Sequence, residues 1–215
     1  MRSDVSFTGE AGRLEGLLEY PEDQPAVGGV VVAHPHPLYG GSMVQPVVHH
    51  VARACRRRGL VTLRFNFRGV GGSEGGYSGF DEYRDVQAAF AYLESRLGGL
   101  AISLAGYSFG AAVSALAVIE GTPATGLALV AFPMNWDEMM PSFFALLGTR
   151  SAPILAVCGE LDDIAPPAEV EGLLRGVGAH PRMVIVSGAD HFFIGLADRV
   201  GESVATFLVE GARAA

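Results

Sequence analysis

The chain has 215 residues, 49% of them hydrophobic, which is enough to build one sizeable core, so we expect a single domain over residues 1–215. With 15 basic and 23 acidic residues the net charge is −8, which argues against nucleic acid or an anionic membrane surface as a partner. The two cysteines lack CxxC spacing, and we expect neither an export signal nor a membrane anchor, so the sequence predicts a cytoplasmic protein without disulfides.

The first 20 residues predict an antiparallel hairpin, with strands at Val5–Thr8 and Leu14–Tyr20 around the turn sequence GEAG. After Pro21, short apolar runs alternate with segments of helical periodicity. The apolar runs occupy residues 29–33, 61–67, 100–106, 126–132, 153–159 and 182–188, and the helical stripes occupy residues 44–55, 83–97, 170–177 and 200–208. Because most of the runs are apolar on both faces, they are typical of parallel strands covered by helices. The sequence therefore predicts a three-layer, doubly wound α/β fold with a mostly parallel sheet, whose ligand site lies at the carboxyl ends of the strands.

The pattern GxSxG occurs twice, around Ser73 and around Ser108. A nucleophile on such a turn needs a strand directly before it, a helix directly after it, and small neighbours where the two approach each other. The segment LAISLAGYSFGAAVSALAVI around Ser108 meets all three conditions, whereas Ser73 lies in RGVGGSEGGYSG with no helical pattern before about Asp81. We therefore predict Ser108 as a nucleophile and Ser73 as a loop residue. Glu74 replaces the third glycine of a GxGxxG motif, so we expect no nucleotide and no other cofactor.

A serine nucleophile needs a histidine base that a carboxylate orients. In a sheet of this kind the chain order is serine, acid, histidine, and the acid and the histidine each follow a separate strand that comes after the serine. His191 follows the last predicted strand, whereas His180 precedes it and belongs to the opposite edge of the sheet. The segment ELDDIAPP follows the predicted strand at residues 153–159 and contains two adjacent aspartates, Asp162 and Asp163. We favour Asp162, which begins the sequence DDIAP, with Asp163 as the alternative or as a loop-capping residue.

The stretch AHPHPLYGG follows the first predicted parallel strand, where donors for the oxyanion of a tetrahedral intermediate are needed. One donor is the N–H of Phe109, the residue after the serine. Both prolines of the stretch lack an N–H, so the N–H of His36 is expected to be the second donor, with Leu38 as the alternative.

The same stretch raises the question of a metal site, because His34 and His36 are only two residues apart. A zinc site needs further ligands, and His49 and His50 fall outside the apolar stripe of their predicted helix. We therefore expect no metal, and we expect the His34 ring to brace the loop.

Five segments in this order, HPHPLYGGSM, NFRGVGGSEG, GYSFG, GELDDIAP and GADHFF, resemble the α/β-hydrolase superfamily, specifically its small dienelactone-hydrolase-like branch. The resemblance spans nearly the whole chain. It implies the α/β-hydrolase fold, a catalytic triad of Ser108, Asp162 and His191, and an oxyanion hole formed at His36 and Phe109. Dienelactone hydrolases proper carry a cysteine nucleophile, so the serine here points to esterase chemistry instead.

Only the segment PMNWDEMMPSFFALLGTRSA separates two of the later predicted strands, which is about one helix, so we expect little or no lid over the site. Large side chains near the expected site are candidates for binding substrate, although ordinary core packing would explain them equally well. The candidates are Leu38, Tyr39, Tyr107, Met134, Trp136 and Phe192, with Met139 and Phe143 as further wall residues.

Three hypotheses follow for function. The first is a serine hydrolase whose substrates are small-molecule, short-chain carboxylic esters, which it cleaves through an acyl-enzyme. The second keeps the triad but acts on a thioester, a lactone or an amide. The third is a catalytically silent protein that binds a ligand in the same pocket. The oligomeric state is open, and a homodimer is compatible with the sequence.

Overall fold

The computed structural model describes residues 1–134 and 146–214, and in them eight strands form one sheet. The strands are β1 Arg2–Gly9, β2 Gly12–Glu19, β3 Gly28–Ala33, β4 Leu60–Phe65, β5 Ile102–Tyr107, β6 Leu127–Val130, β7 Ile154–Gly159 and β8 Arg182–Val186. The helices are α1 Pro46–Arg57, α2 Glu82–Leu97, α3 Phe109–Ile119, α4 Pro167–Gly176 and α5 Ala197–Ala214, and short 3₁₀ turns lie at Pro37–Tyr39 and Leu147–Thr149.

The strand order is β1-β2-β4-β3-β5-β6-β7-β8. β2 runs antiparallel to both β1 and β4, and the five pairings from β4 across to β8 are parallel. The parallel sheet therefore grows outward from β3 in both directions, so the carboxyl ends of β3 and β5 lie side by side where the direction switches. This topology confirms the predicted doubly wound α/β fold with an N-terminal antiparallel hairpin.

Helices cover both faces of the sheet. α1 packs against α5 on one face, and α2 packs against α3 on the other. All residues of α3 are buried, which explains why its sequence FGAAVSALAVI is apolar on every side. α1 and α5 approach so closely that a Cβ at Gly201 would lie 2.6 Å from the carbonyl oxygen of His50. The central strands β3 to β7 are buried along their whole length between these two layers.

Two local predictions differ from the structure. β8 pairs only with β7, so it is an edge strand, and Ile185 on it is 56% exposed. Val44, expected on the buried stripe of the first helix, precedes α1 and is 69% exposed. The helix expected between β6 and β7 falls mostly in residues 135–145, outside the described residues.

The N-terminal hairpin holds the glycine-rich loop that follows β4. The Glu15 carboxylate on β2 accepts hydrogen bonds from the Gly72 N–H (2.7 Å) and from the Asn66 side-chain amide (2.6 Å). The Ser73 hydroxyl donates to the Asn66 carbonyl oxygen (2.7 Å) and accepts from the Glu15 N–H (3.0 Å). The Asn66 side-chain oxygen accepts from the Met43 N–H (2.8 Å). Ser73 therefore has the loop role predicted for it, and Asn66 connects the hairpin to the segment before α1.

A buried ion pair attaches the same loop to α2. The Arg68 guanidinium donates to the Asp85 carboxylate at 2.7 Å, and the Arg68 N–H donates to the same carboxylate at 3.0 Å. Both side chains are buried. Because either charge would be costly to leave unpaired in this position, the pair ties the loop to the first turn of α2.

β5 turns into α3 at a single residue, Ser108, whose φ of 54° lies in the left-handed region. A Cβ at Gly106 would lie 2.1 Å from the Gly110 carbonyl oxygen. A Cβ at Gly110 would lie 2.5 Å from the carbonyl oxygens of both Ala33 and His34. The first glycine allows the helix to fold back onto β5, and the second allows it to pack against the end of β3. Both glycines of GYSFG are therefore steric requirements of this turn.

His34, directly after β3, links the ends of two neighbouring strands. Its Nε2 accepts a hydrogen bond from the Phe67 N–H (3.1 Å), just beyond β4, so the proton lies on Nδ1, which donates to the Pro35 carbonyl oxygen (2.7 Å). Burial lowers the pKa of this imidazole from 6.5 to about 4, and the hydrogen bond to Pro35 opposes the shift. The neutral ring therefore braces the loop after β3, as predicted.

Replacing Gly110 with alanine should destabilise the protein, although alanine is the better helix former. The methyl group would meet two backbone carbonyls, and we expect the free energy of unfolding to fall by about 3 kcal/mol. Gly172→Ala on α4 is the matched control, because its Cβ meets nothing within 4 Å, and it should stabilise by up to about 1 kcal/mol. Urea unfolding measures both changes, and a Gly110→Ala protein as stable as the wild type would contradict the steric argument.

His34 should make stability depend on pH. The folded imidazole stays neutral down to about pH 4, whereas the unfolded chain takes up a proton near pH 6.5, so stability is full above pH 6.5 and falls as the pH drops toward 4. From this residue we expect a loss of about 2 kcal/mol between pH 7 and pH 5. In urea unfolding at the two pH values, His34→Asn should lose this share of the dependence, and His180→Asn at an exposed position should keep it. An unchanged pH dependence in His34→Asn would contradict the assignment.

Candidate active site

Ser108 lies at the carboxyl end of β5, next to the point where the sheet switches direction. Its N–H donates to the Val130 carbonyl oxygen at the end of β6 (2.8 Å), which holds the strained turn in place. Its hydroxyl lies 3.0 Å from Nε2 of His191. The serine that the sequence predicts as a nucleophile is therefore paired with the histidine predicted as its base.

The hydrogen-bonded path continues from His191 to a carboxylate. Nδ1 of His191 lies 3.0 and 2.9 Å from the two carboxylate oxygens of Asp162. Because a carboxylate can only accept here, Nδ1 carries the proton and Nε2 is left to accept from the Ser108 hydroxyl. The His191 and Asp162 side chains are buried, so this path runs through the protein interior up to the partly exposed serine.

The structure distinguishes the two adjacent aspartates. Asp162 is buried, and besides facing His191 it accepts the N–H groups of Ile164 (3.0 Å) and Ala165 (2.8 Å) through Oδ1. Asp163 is exposed. The acid that faces the histidine is thus the one favoured from sequence, while the loop-capping role expected of Asp163 is also performed by Asp162.

Two loops bring the aspartate and the histidine together. The Leu161 N–H donates to the Ala189 carbonyl oxygen at 2.8 Å, and the Glu160 carboxylate accepts the Gly188 N–H at 2.8 Å. A Cβ at Gly159 would lie 2.5 Å from that same Ala189 oxygen. The loops after β7 and β8 therefore touch backbone to backbone, which sets the short distance between the two side chains.

Backbone strain lies at the same edge of the sheet. Among the described residues, three non-glycines have positive φ, namely Ser108 (54°), Ala131 (46°) and Phe193 (51°). They follow β5, β6 and β8 respectively, at the carboxyl ends of the strands. Strain of this kind persists only where surrounding contacts enforce it, and its location at one edge marks that edge as the functional one.

Tyr107 supports the histidine loop. It was predicted to contact substrate, but it is 3% exposed and its hydroxyl donates to the His191 carbonyl oxygen at 2.9 Å. Burial raises the pKa of this phenol, so the hydroxyl keeps its proton and remains a donor. Tyr107 therefore borders the pocket mainly as a support for the backbone of His191.

The loop after β3 places His36 in the lining of the cavity that Ser108 also lines. The N–H of Leu38, the alternative oxyanion donor, is occupied, because it donates to Nδ1 of His36 at 3.2 Å. The N–H of His36 has no hydrogen-bond acceptor within residues 1–134 and 146–214. Phe109 contributes the first N–H of α3, beside Ser108, and its ring lies 5.0 Å from the His36 ring, centre to centre. Phe109 directly follows Ser108 in the chain, and His36 lines the same cavity as Ser108.

A cavity of about 420 Å³ opens above Ser108. The side chains of its described lining are aromatic, aliphatic or polar, and none of them is Asp, Glu, Lys or Arg. The lining residues are Pro35, His36, Tyr39, Gly41, Gln45, Tyr107, Ser108, Phe109, Pro133, Ile164, His191 and Phe192. The volume is that of a small-molecule site.

The predicted substrate-binding residues divide into three groups. Tyr39 and Phe192 line the cavity, at 88% and 59% exposure respectively. Leu38 and Met134 are not part of the described lining: Leu38 is 68% exposed on its 3₁₀ turn, and Met134 packs against the core with its N–H bonded to the Ile164 carbonyl oxygen (3.0 Å). The predictions for Trp136, Met139 and Phe143 lie outside the described residues.

The sequence reasoning missed Gln45 and Ile164. Gln45 caps α1 by accepting the Val47 N–H through its side chain (3.3 Å), a position that a capping analysis before Pro46 could have found. Ile164 reaches the cavity because the loop after β7 folds around the Asp162 carboxylate, and that path is a tertiary effect with no local signal.

Two histidines that the sequence raised as metal-ligand candidates lie outside the hydrogen-bonded path of Ser108, His191 and Asp162. His34 has a hydrogen-bond partner on each ring nitrogen, and His49 is exposed on α1. Within the part of the chain that the structure describes, no three His, Cys, Asp or Glu side chains are grouped to hold a metal ion. None of the described helices combines the length and the apolar character needed to cross a membrane.

Comparison with known proteins identifies relatives over nearly the whole chain. An α/β serine hydrolase homologue from Coxiella burnetii is 34% identical, with 96% of this chain and 97% of that chain covered and a TM-score of 0.86. A lidless α/β serine hydrolase from Xanthomonas campestris is 29% identical, with 99% and 94% covered and a TM-score of 0.83. An uncharacterised protein of Rickettsia prowazekii is 29% identical over 212 residues, which are 95% of this chain and 88% of that protein.

Residues 32–151, more than half of the chain, match the family model of the S33 serine aminopeptidases. This match includes the loop after β3 and the turn at Ser108, and it agrees with the hydrogen-bonded path and the sheet topology described above. The chain therefore belongs to the S33 serine aminopeptidase family of α/β serine hydrolases.

Proposed function

We propose that this serine hydrolase cleaves short-chain carboxylic esters through an acyl-enzyme intermediate. The observation that carries the proposal is the continuous hydrogen-bonded path from Ser108 through His191 to Asp162, which ends at the floor of an open cavity. In this proposal those three residues are the catalytic triad, and the N–H groups of His36 and Phe109 form the oxyanion hole.

The first step is attack on the ester carbonyl. Nε2 of His191 takes the hydroxyl proton of Ser108 as the oxygen forms a bond to the carbonyl carbon. The Asp162 carboxylate keeps Nδ1 protonated and stabilises the imidazolium that forms. Since both side chains are buried, this electrostatic stabilisation is only weakly screened by water.

The negative charge of the tetrahedral intermediate then develops on the former carbonyl oxygen. In this proposal the backbone N–H groups of His36 and Phe109 would each stabilise it by about 3 kcal/mol. Collapse of the intermediate breaks the bond to the alcohol oxygen, which takes the proton from His191. A water molecule, deprotonated by the same imidazole, then attacks the acyl carbon; the bond to the Ser108 oxygen breaks, that oxygen takes the proton back from His191, and the acid is released.

The character of the cavity favours small, uncharged esters. Its volume of about 420 Å³ accommodates a short acyl group and a compact alcohol. The described lining is aromatic and aliphatic around the serine, with the Gln45 amide as a neutral polar group. Apolar walls with few polar groups bind an uncharged substrate without desolvating a charge.

Ser108→Ala should abolish turnover of p-nitrophenyl acetate, with a loss of about 10⁴-fold or more in kcat, and should abolish labelling by a fluorophosphonate probe. Ser73→Ala is the matched control, because it changes the other GxSxG serine, whose hydroxyl is bonded within its loop. It should keep the label.

Alanine p-nitroanilide, assayed in parallel, tests for aminopeptidase activity. A wild type that turns over the anilide but no ester, or one that leaves the probe unreacted, would overturn the proposal.

Tyr107→Phe separates a support role from a substrate contact. Loss of one hydrogen bond to the His191 backbone, worth about 1 kcal/mol, should lower kcat about five-fold and leave KM unchanged. Steady-state kinetics on p-nitrophenyl acetate measure both constants. A raised KM with an unchanged kcat would instead restore the substrate-binding role predicted from sequence.

A further inference from the structure

The glycine-rich loop after β4 carries a tyrosine that the proposed mechanism does not use. The hydroxyl of Tyr77 lies 2.8 Å from Nε2 of His36, the residue whose backbone N–H the proposed mechanism assigns to the oxyanion hole. The neighbouring Ser78 donates both its N–H (2.7 Å) and its hydroxyl (3.0 Å) to the Glu82 carboxylate at the start of α2. Tyr77 is thus held from α2 and reaches toward the loop after β3.

The hydrogen bonds of His36 define its protonation. Nδ1 accepts the Leu38 N–H at 3.2 Å and so carries no proton. Nε2 therefore carries the proton and donates it to the Tyr77 oxygen. The ring is also enclosed by other rings, with centre-to-centre distances of 4.7 Å to Tyr39, 4.9 Å to Tyr77 and 5.0 Å to Phe109. Both ring nitrogens of His36 thus have a hydrogen-bond partner, and three aromatic rings lie near the imidazole.

The His36 side chain in turn shapes its own loop. It caps the 3₁₀ turn Pro37–Tyr39, and its carbonyl oxygen accepts the N–H groups of Tyr39 and Gly41, both at 3.1 Å. A Cβ at Gly41 would lie 2.0 Å from the Pro35 carbonyl oxygen, so the loop is closed tightly on itself. Rotation of the imidazole would break its hydrogen bond to the Leu38 N–H and remove the cap from the turn that begins at His36.

We propose that Tyr77 and the neutral imidazole of His36 form a positioning pair that fixes the His36 N–H where the oxyanion develops. The inference rests on the proposed function, because it assigns that N–H to the oxyanion hole. Tyr77 touches no reacting atom in this proposal and acts only through His36.

The pair also makes the loop sensitive to acid. A second proton on His36 would lie on Nδ1 and point at the Leu38 N–H, so two donors would face each other and the cap would be lost. The groups that face the ring are Tyr39 on its own turn, Tyr77 and Glu82 from the loop and α2, and His191 across the cavity. Burial lowers the pKa of His36, and Glu82 partly opposes this shift, so the neutral form is the one present near pH 7.

The test compares Tyr77→Phe, which removes only the hydroxyl, with Tyr92→Phe, a control on α2 whose hydroxyl has no hydrogen-bond partner within the described residues. On p-nitrophenyl acetate, Tyr77→Phe should lower kcat five- to ten-fold with KM unchanged. Inhibition by a trifluoromethyl ketone, which forms an oxyanion on Ser108, should weaken by the same factor. Unchanged kcat, or unchanged ketone affinity, would overturn the proposal, as would an equal effect in Tyr92→Phe.

His36→Asn supplies the second variant. Asparagine keeps the backbone N–H and offers a side-chain oxygen that can cap the turn, but it does not titrate. In the wild type, kcat/KM should fall on the acid side more steeply than one protonation allows. In His36→Asn the slope should return to that of a single protonation. Equal slopes in the two proteins would contradict the acid sensitivity.

A measurement that needs no activity separates this proposal from the proposed function. In ¹⁵N NMR of the wild type near pH 7, Nδ1 of His36 should show the shift of an unprotonated nitrogen and Nε2 that of a protonated one. Tyr77→Phe should keep this tautomer, because the Leu38 N–H still donates to Nδ1, and should shift the Nε2 resonance, because that N–H loses its acceptor. If the ester assay fails but the tautomer is as stated, the proposed function alone is wrong. If Nδ1 is protonated in the wild type, the positioning pair is wrong whatever the activity.

Discussion

The left-handed backbone of Ser108 is the constraint on which the rest of the site depends. A non-glycine residue in this conformation costs about 1–3 kcal/mol, and the surrounding structure has to enforce it. The hydrogen bond to Val130 and the close packing of α3 against β5 and β3 supply that enforcement. This packing is tolerated only because Gly106 and Gly110 have no side chains. The position of Ser108 is therefore a property of the whole sheet and of the helix behind it.

Two histidines in the stretch HPHP illustrate how neighbours select a tautomer. His34 accepts on Nε2 and donates from Nδ1, whereas His36 accepts on Nδ1 and donates from Nε2. In each ring a backbone N–H claims one nitrogen and thereby sends the proton to the other. The same residue type thus performs two jobs two positions apart: one ring ties β3 to the end of β4, and the other ties the loop to Tyr77.

The parts of the molecule that sequence predicted well are those with a local signal. The strands, the turn at Ser108 and the separation of Ser108 from Ser73 all follow from residues adjacent in the chain, because apolar periodicity and small neighbours reflect local packing. The pairing of Asp162 with His191 followed from the order of elements along the chain.

What sequence did not predict depends on how separate loops approach each other. Leu38 lies exposed on the 3₁₀ turn at Pro37–Tyr39 and is not part of the described cavity lining, and nothing in the residue types indicated that position. Ile164 and the contact between Tyr77 and His36 join residues distant in the chain. Tyr107 was placed near the site correctly, but its hydroxyl serves the backbone of His191. Such contacts follow from the assembled sheet edge, which a linear pattern does not describe.

The hydrogen bonds of Glu15 give the strand register of the N-terminal hairpin an unexpected importance. β2 pairs with β4 so that Gly16 lies opposite Phe65, and this alignment brings the Glu15 carboxylate to Gly72 and Asn66. A slip of one residue would send that side chain to the other face of the sheet and release the loop that carries Tyr77. Extra residues in the GEAG turn would leave the register between β2 and β4 intact. One residue inserted within β2 would shift that register and so disturb the loop that carries Tyr77, and with it the surroundings of His36. Strand alignment at the edge of the sheet is thereby coupled to the geometry around the serine.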